Sequence, residues 1–380
     1  MDFELTKDQR DIKNAAREFA EGEFPDRAQE FDRDEKFDLS IWKKACELGF
    51  VAVNMKEAYG GAGLGIFENC LITEEFWAVD AGMANACLAV AFGCDLIDRY
   101  GTDEQKTTYI TPIVTGEAIM GTAVTEPDAG SDVTGAVTTA VHAGGEYIIN
   151  GSKTFITNGS IANYLLVFCL TDPDNPDRHK RHSFFVVETD RKGFEARKLR
   201  GKLGIRANDT AEISFSEVRV PASNMIGEEG EGFTEIMYQF NVSRIRVAAQ
   251  AVGLARAALE EALAHIKRRH QFGSPLASFQ ANQFKIAEMA TRIEASRNLY
   301  YKAAWLVDRG TVDHGLIAMA KWFSGEVAVS CADEALQMHG GYGYMDEYKI
   351  QRIYRDAKIV EIYEGTKEIE KIIVARSLLR

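Results

Sequence analysis

The chain has few prolines, no paired cysteine motif and no long apolar segment. Only 7 of its 380 residues are proline, so rigid linkers between domains are not expected. The 6 cysteines include no C-x-x-C pair and the histidines are scattered, so we expect buried, reduced thiols and no metal site. No apolar run approaches the roughly 18–20 residues of a membrane span, so we expect no span.

An excess of basic residues is also missing. The 44 Lys and Arg residues are outnumbered by 57 Asp and Glu residues, which gives a formal charge of −13. Such an acidic chain lacks the positive surface of a nucleic-acid binder, so we expect no nucleic-acid partner. The first residues are charged and show no signal-peptide pattern, which predicts a cytoplasmic protein.

The period of the apolar residues changes twice, which divides the chain into three predicted domains. Residues 1–115 show helical spacing, residues 116–228 carry short β-branched and aromatic runs, and residues 229–380 return to helical spacing. Clusters of Gly, Asn and Asp separate the middle runs, as in a small antiparallel sheet or barrel. We therefore predict an α+β multidomain fold with an N-terminal helical domain, a middle antiparallel β-domain and a C-terminal four-helix bundle.

The clearest helical patterns define four individual helices. They are predicted over residues 9–24 and 84–100 in the first region, and over residues 233–270 and 281–309 in the last. The segment 84–100 is largely apolar on every side. That pattern predicts a helix buried between its neighbours.

Two segments of the middle region suit a flat polar ligand. One reads GTAVTEPDAGSD, where Thr125 and Ser131 offer hydroxyl donors beside glycines that allow close backbone approach. The other reads GSKTFITNG, where a strand places Phe155 and Thr157 on one face. The alternatives are a surface turn for the first segment and a hairpin with Phe155 in the core for the second.

Two segments of the C-terminal region suit a phosphate. Arg269 lies at the end of the predicted helix 233–270, where its planar guanidinium could bind a phosphate or simply cap the helix. The segment QMHGGYGY at residues 337–344 is rich in glycine but matches no established phosphate-binding pattern. An ordinary glycine turn is the alternative there.

Glu364 is the candidate general base. It stands in IYEGT between an apolar segment and Gly365, and a carboxylate beside Tyr363 at an apolar break is expected to have a raised pKa. A base that works near neutral pH needs such a pKa. The alternative is a solvated glutamate that precedes a turn.

Five motifs occur in one order along the chain: TEPDAGSD, GSKTFITNG, RRHQFG, QMHGGYGY and RDAKIVEIYEGT. With this order and the helix–sheet–helix layout, the whole chain resembles the acyl-CoA dehydrogenase family. The resemblance implies an FAD-dependent flavoprotein, assembled as a homotetramer (a dimer of dimers), that desaturates acyl-CoA thioesters between Cα and Cβ. It also implies that the electrons pass to an electron-transferring flavoprotein.

The same resemblance implies a role for each matching position. Glu364 is expected to take the α-proton, while the β-hydride passes to flavin N5 near the Thr157 hydroxyl. The residues expected to contact FAD, partly across a subunit interface, are Val124, Thr125, Phe155, Thr157, Arg269, Phe272, Gln280, Gln337, Gly341, Thr366 and Glu368. The residues expected to contact the acyl-CoA substrate are Ser131, Asn241, Arg244, Gly365, Leu88, Phe92 and Asp95.

Four positions qualify these expectations. Asn241 stands where many relatives have Asp, and Ser243 occupies the place where a minority subgroup carries its base, which disfavours that subgroup. Phe92 is bulky and favours a short, branched or alicyclic acyl group over a long chain. Asp95 is either a hydrogen-bonded carboxylate at a packing seam or a pocket group that recognises the substrate or acts as a second base.

Three functions remain open from the sequence. The first is a dehydrogenase of acyl-CoA thioesters such as butyryl-CoA or cyclohexanecarboxyl-CoA, with an electron-transferring flavoprotein as partner. The second is an oxidase of the same fold that reduces O₂, which the short chain disfavours. The third is a non-catalytic flavin- or CoA-binding protein, against which the presence of Glu364 argues.

Overall fold

The computed structural model describes residues 4–379, so residues 1–3 and Arg380, which the predicted outer domains include, lie outside the described residues. Helices form the first and last parts of the chain and a sheet forms the middle, which confirms the predicted fold class. The N-terminal helices are α1 (Lys7–Glu23), α2 (Pro25–Asp34), α3 (Leu39–Glu47), α4 (Ile66–Val79), α5 (Ala81–Leu88), α6 (Cys94–Tyr100), α7 (Asp103–Tyr109) and α8 (Thr111–Val114).

The strands and the second set of helices follow in chain order. The strands of the middle region are β1 (Met120–Ala123), β2 (Thr139–Ala143), β3 (Glu146–Thr157), β4 (Tyr164–Leu170), β5 (His182–Glu188), β6 (Phe194–Lys198), β7 (Thr210–Pro221) and β8 (Met225–Ile226). The C-terminal elements are α9 (Gly232–Arg268), a hairpin of β9 (His270–Gln271) and β10 (Ser274–Pro275), α10 (Gln280–Val307), α11 (His314–His339), α12 (Lys349–Ala357) and α13 (Lys367–Leu378).

The prediction of one helix over residues 84–100 is wrong. The segment forms α5 and α6, which a turn at residues 89–93 separates. Gly93 in this turn has a φ of 129°, and an added Cβ would lie 2.9 Å from Leu166 Cδ1, so the turn packs directly on the sheet. The apolar pattern concealed the break because a buried turn is as apolar as a buried helix. Phe92 therefore lies on a turn.

The other three predicted helices agree with α1, α9 and α10 to within two residues at each end. The sheet has the strand order β6-β7-β3-β2-β4-β5-β8. Most neighbouring strands are antiparallel, as expected, but β1 pairs with β4 in parallel, so the sheet is mixed. Within residues 4–379, no helix has both the length and the apolar character needed to cross a bilayer.

A close crossing of α4 and α9 joins the N-terminal helices to the C-terminal bundle. A Cβ at Gly253 would lie 2.6 Å from the Glu74 carbonyl oxygen, so only glycine allows this approach. The buried Glu74 carboxylate accepts hydrogen bonds from Arg256 Nη1 at 2.7 Å and Arg297 Nη2 at 3.0 Å, and from the Tyr300 hydroxyl. Burial alone would raise the pKa of Glu74, but the two guanidinium groups outweigh burial and lower it to about 2.

The Glu74→Gln substitution should destabilise this junction. We expect the free energy of unfolding to fall by about 3 kcal/mol, at the low end for breaking a buried pair, because Glu75 still faces Arg256. Urea denaturation at pH 7, followed by circular dichroism, measures the loss. The pKa of Glu74 is lowered on folding from 4.5 to about 2, so its contribution is present above pH 4.5 and disappears as the pH falls towards 2.

Glu21→Gln is the matched control. The Glu21 side chain is 54% exposed in its pair with Arg17, so its loss should change the free energy of unfolding by less than about 1 kcal/mol. Equal effects of the two substitutions would contradict the role of Glu74 at the junction.

Candidate active site

A cavity of about 100 Å³ lies where α4, α5 and α9 meet the turn that precedes α13. Tyr363 and Glu364 of that turn line it, and Thr157 at the end of β3 also lines it. All three regions of the chain therefore contribute to one cavity. Since a cavity of roughly 150 Å³ holds benzene, this one has room for at least a few heavy atoms.

Residues 363–365 form a tight turn, here named the Glu364 turn. The backbone is left-handed at Glu364, where φ is 56°, and φ is 102° at Gly365. A left-handed glutamate is uncommon and stores strain unless its surroundings hold it. Arg244 Nε donates to the Glu364 carbonyl oxygen at 3.0 Å, and Lys321 Nζ donates to the Gly365 carbonyl oxygen. Side chains from α9 and α11 therefore hold the turn.

Glu370 fills the space behind this turn. Gly365 has a φ of 102°, and a Cβ there would lie 2.3 Å from Glu370 Oε1, so a larger residue would strain the backbone and displace the Glu370 carboxylate. Arg244 Nε lies 3.0 Å from the same oxygen. Burial raises the pKa of Glu370 to about 7 and lowers the pKa of Lys321 to about 8, while the opposite charges of these groups limit both shifts.

The Glu364 carboxylate accepts a hydrogen bond from the Ser243 hydroxyl on α9. Burial raises the pKa of Glu364, and the Ser243 hydroxyl and the nearby charges of Arg244 and Lys321 only reduce this rise. A carboxylate with a raised pKa that faces a cavity can act as a general base near neutral pH. The Glu364 backbone N–H donates to no acceptor among residues 4–379, so it is free to bind a ligand.

The two glycine-containing motifs of the middle region lie side by side. The Thr154 N–H donates to the Thr125 carbonyl oxygen at 2.9 Å, and Lys153 Nζ donates to the Val124 carbonyl oxygen at 3.0 Å.

Phe155 is 69% exposed and has a left-handed backbone, with φ of 59°, at an irregularity in the β3–β7 pairing. The alternative of Phe155 in the core is therefore wrong. An exposed ring held by strained backbone, two residues from Thr157, suits a flat ring stacked on it.

A second cavity, of about 450 Å³, lies between the end of α9 and the glycine turn after α11. Arg269 and Gly341, both predicted cofactor contacts, line it, and the Arg269 guanidinium lies 5.4 Å from the centre of the Tyr342 ring. The other predicted contacts of the C-terminal region are exposed and lie outside this lining: Phe272, Gln280, Gln337 and Glu368. Thr366 caps α13, where its hydroxyl accepts from the Ile369 N–H at 3.4 Å.

The predicted CoA contacts are spread over different environments. Ser131 is exposed. Asn241 is buried, and its Oδ1 lies 3.1 Å from His314 Nδ1. Arg244 is also buried, and its guanidinium contacts the Glu364 turn. Leu88 and Phe92 both line the first cavity.

Asp95 lines the first cavity and forms an ion pair with Arg246. Arg246 Nη1 lies 2.6 Å from Asp95 Oδ2, and Nη2 lies 2.9 Å from Oδ1. Asn54 Nδ2 donates to Asp95 Oδ1 at 2.8 Å, and Arg246 Nε donates to Asn69 Oδ1 at 3.0 Å. Burial alone would raise the pKa of Asp95, but Arg246 and Asn54 outweigh it and lower the pKa.

Sequence reasoning missed Arg246, Asn54 and Asn69. One signal was available on α9, where polar residues at 243, 246 and 250 recur at helical spacing within FNVSRIRVAAQAVG. Residues 243, 246 and 250 all line the cavity. The partners of Arg246 come from distant segments, and no local pattern predicts them.

Comparison with known proteins assigns the chain to a family. Models described as the N-terminal, middle and C-terminal domains of acyl-CoA dehydrogenase match residues 6–117, 121–218 and 230–379. The chain is 41% identical to a short-chain specific acyl-CoA dehydrogenase of Clostridium acetobutylicum, over 100% of both chains.

Solved structures are equally similar. Butyryl-CoA dehydrogenase from Megasphaera elsdenii matches with a TM-score of 0.96 and 39% identity, over 100% of both chains. A chain from a structure that describes the electron transferring flavoprotein of Acidaminococcus fermentans matches with a TM-score of 0.97 and 42% identity, also over 100% of both chains.

The Ser243→Ala substitution should raise the pKa of Glu364 further, because it removes a hydrogen bond that stabilises the charged carboxylate. Infrared titration of protein with ¹³C-labelled glutamate side chains measures this shift. Ser296→Ala is the matched control, since the buried Ser296 hydroxyl donates only to the Arg292 carbonyl oxygen of its own helix. An unchanged Glu364 titration in Ser243→Ala would rule out this hydrogen bond in solution.

Proposed function

Because the chain belongs to the acyl-CoA dehydrogenase family, we propose that it oxidises a short, branched or alicyclic acyl-CoA thioester with FAD. Butyryl-CoA and cyclohexanecarboxyl-CoA represent this substrate class. The single observation that carries the proposal is the Glu364 carboxylate, which lines a small cavity from a strained turn and has a raised pKa. The Clostridium acetobutylicum relative is specific for short-chain acyl-CoA, which supports a short acyl group.

Glu364 is the proposed acceptor of the α-proton. Ser243 binds its Oε2, and its Oε1 accepts no hydrogen bond from the described residues, so this oxygen is free to take a proton. The Glu364 turn fixes the carboxylate through Arg244 and Lys321. Such positioning contributes to catalysis because the proton then moves over a short, preset distance.

The Glu364 backbone N–H is the proposed donor to the thioester carbonyl oxygen. Loss of the α-proton places negative charge on that oxygen, and the N–H has no other acceptor among residues 4–379. A preorganised donor of this kind stabilises the transition state by roughly 3–4 kcal/mol. One residue would then supply both the base and a donor to the developing charge.

Four residues of the middle region form the proposed flavin site. When bound, FAD would supply the acceptor for the β-hydride. Phe155 offers an exposed ring for stacking, Thr157 offers a hydroxyl at the cavity, and Val124 and Thr125 lie beside them.

The C-terminal region supplies the proposed phosphate side of the cofactor site. Arg269 and Gly341 line the larger cavity, where a guanidinium can bind a pyrophosphate bidentately. Thr366 and Glu368, which follow the Glu364 turn, are further proposed contacts of the cofactor. Phe272, Gln280 and Gln337 are the remaining proposed contacts, and a homotetramer would bring part of this set from a neighbouring subunit. An electron-transferring flavoprotein is the proposed acceptor, which the similarity to a chain in the Acidaminococcus fermentans structure supports.

Glu364→Gln should lower turnover by at least ~10²-fold, the typical contribution of a general base, and should leave FAD bound. Anaerobic bleaching of the flavin by butyryl-CoA and cyclohexanecarboxyl-CoA measures the rate. Glu326→Gln is the control, because Glu326 on α11 pairs with Lys371 away from the cavity. Full activity of Glu364→Gln would remove Glu364 from this role, and no bleaching of the unaltered protein would overturn the proposed function.

The pH dependence of kcat/KM should show the raised pKa of Glu364. The base must be ionised to accept a proton, so activity should fall as the pH decreases through this pKa. The midpoint should lie above the ordinary glutamate value of about 4.3. A midpoint at or below that value in a steady-state pH profile would contradict the assignment.

A further inference from the structure

We propose that the acyl group of the substrate carries an uncharged hydrogen-bonding group, such as a hydroxyl or a ketone, at the end away from the thioester. This inference rests on the proposed function and specifies its substrate. It is based on polar side chains that share the small cavity with Glu364: Asn54, Asn69, Asn85, Asp95, Arg246 and Gln250. An aliphatic acyl chain would leave the donors and acceptors of this set that are still unpaired without a partner.

Asn85 on α5 is the strongest indication. Asn85 is only 5% exposed and lines the cavity. Its side-chain amide forms no hydrogen bond with any residue in the range 4–379. Buried amides are normally paired, because an unpaired one loses its hydrogen bonds to water on burial. The amide therefore offers two donors and an acceptor to a ligand in the cavity.

Arg246 and Asp95 retain hydrogen-bonding capacity of the same kind. Arg246 Nη1 carries two N–H groups but donates only to Asp95 Oδ2, which accepts no second hydrogen bond from the described residues. Gln250, one turn further along α9, accepts from the Tyr363 hydroxyl through Oε1, and its NH₂ group has no acceptor within residues 4–379. Donors and acceptors thus both remain open in this cavity.

The charge balance excludes an ionised group on the acyl chain. Asp95 neutralises Arg246 through two contacts, at 2.6 Å and 2.9 Å, so the cavity presents no unpaired cation to a carboxylate. Asp95 and Glu364 would both repel a carboxylate of the ligand in so small a space. Within the proposed substrate class an unsubstituted alkyl group fits less well than a hydroxyl or a ketone, because it forms no hydrogen bond with Asn85 or with the ion pair.

Substrates of similar chain length separate these possibilities. In 4-hydroxybutyryl-CoA a terminal hydroxyl replaces the terminal methyl group of pentanoyl-CoA, and 4-oxopentanoyl-CoA supplies a ketone. Glutaryl-CoA supplies a carboxylate on a chain of similar length. Steady-state kcat/KM of the FAD-loaded enzyme with an artificial electron acceptor is the measurement.

We expect kcat/KM to be at least ~10-fold higher for 4-hydroxybutyryl-CoA or 4-oxopentanoyl-CoA than for pentanoyl-CoA, since unpaired polar groups in a site reject the apolar analogue. Asn85→Leu should reduce this ratio by ~10-fold or more. Asn298→Leu, an exposed position on α10 remote from the cavity, should preserve the ratio. If Asn85→Leu does not fold, the ratio of kcat/KM values in the unaltered enzyme still tests the proposed polar substrate.

The outcomes distinguish this inference from the proposed function. Equal or faster oxidation of pentanoyl-CoA or cyclohexanecarboxyl-CoA would overturn the polar substrate but leave the dehydrogenase intact. A preference for glutaryl-CoA would overturn the uncharged class. Failure of every acyl-CoA to bleach the flavin would instead overturn the proposed function itself.

Discussion

The left-handed turn at Glu364 and Gly365 is the constraint on which the candidate site depends. Strained backbone persists only where its surroundings hold it, and here Arg244 and Lys321 bind two successive carbonyl oxygens. Glu370 balances these buried cations and occupies the space that a side chain at position 365 would need. Position, strain and charge at Glu364 therefore follow from one compact cluster contributed by α9, α11 and α13.

The place where the cations bind decides the chemistry of the carboxylate. Two guanidinium groups contact the Glu74 carboxylate directly and lower its pKa to about 2, which makes it a structural anion. Around Glu364, Arg244 and Lys321 donate instead to backbone carbonyls, and among residues 4–379 only the neutral Ser243 hydroxyl donates to the carboxylate. Burial then prevails and the pKa of Glu364 is raised. The cations therefore hold the Glu364 turn in place, and the pKa of its carboxylate still remains above the ordinary value.

The sequence predicted features that depend on local pattern. Changes in apolar period predicted the three regions, and the apolar break in IYEGT pointed to Glu364. The break at Gly93 escaped detection because burial makes turns and helices equally apolar. Residue type left a buried Phe155 as an alternative. The irregularity in the β3–β7 pairing that exposes the ring has no signal in the sequence. The ion pair of Asp95 and Arg246 lies beyond any local pattern, since it joins residues 151 apart along the chain.

One helix contributes both the partner of the base and several polar groups of the small cavity. Ser243 contacts the Glu364 carboxylate, while Arg246 and Gln250 follow on the same face of α9. Seven residues of helix span about 10 Å, so a rigid element sets the distance between the base and the polar groups. Binding energy gained at the polar groups can then position the reacting carbon, because interactions remote from the chemistry contribute to catalysis by orienting the substrate. A polar group on the acyl chain would therefore affect turnover as well as affinity.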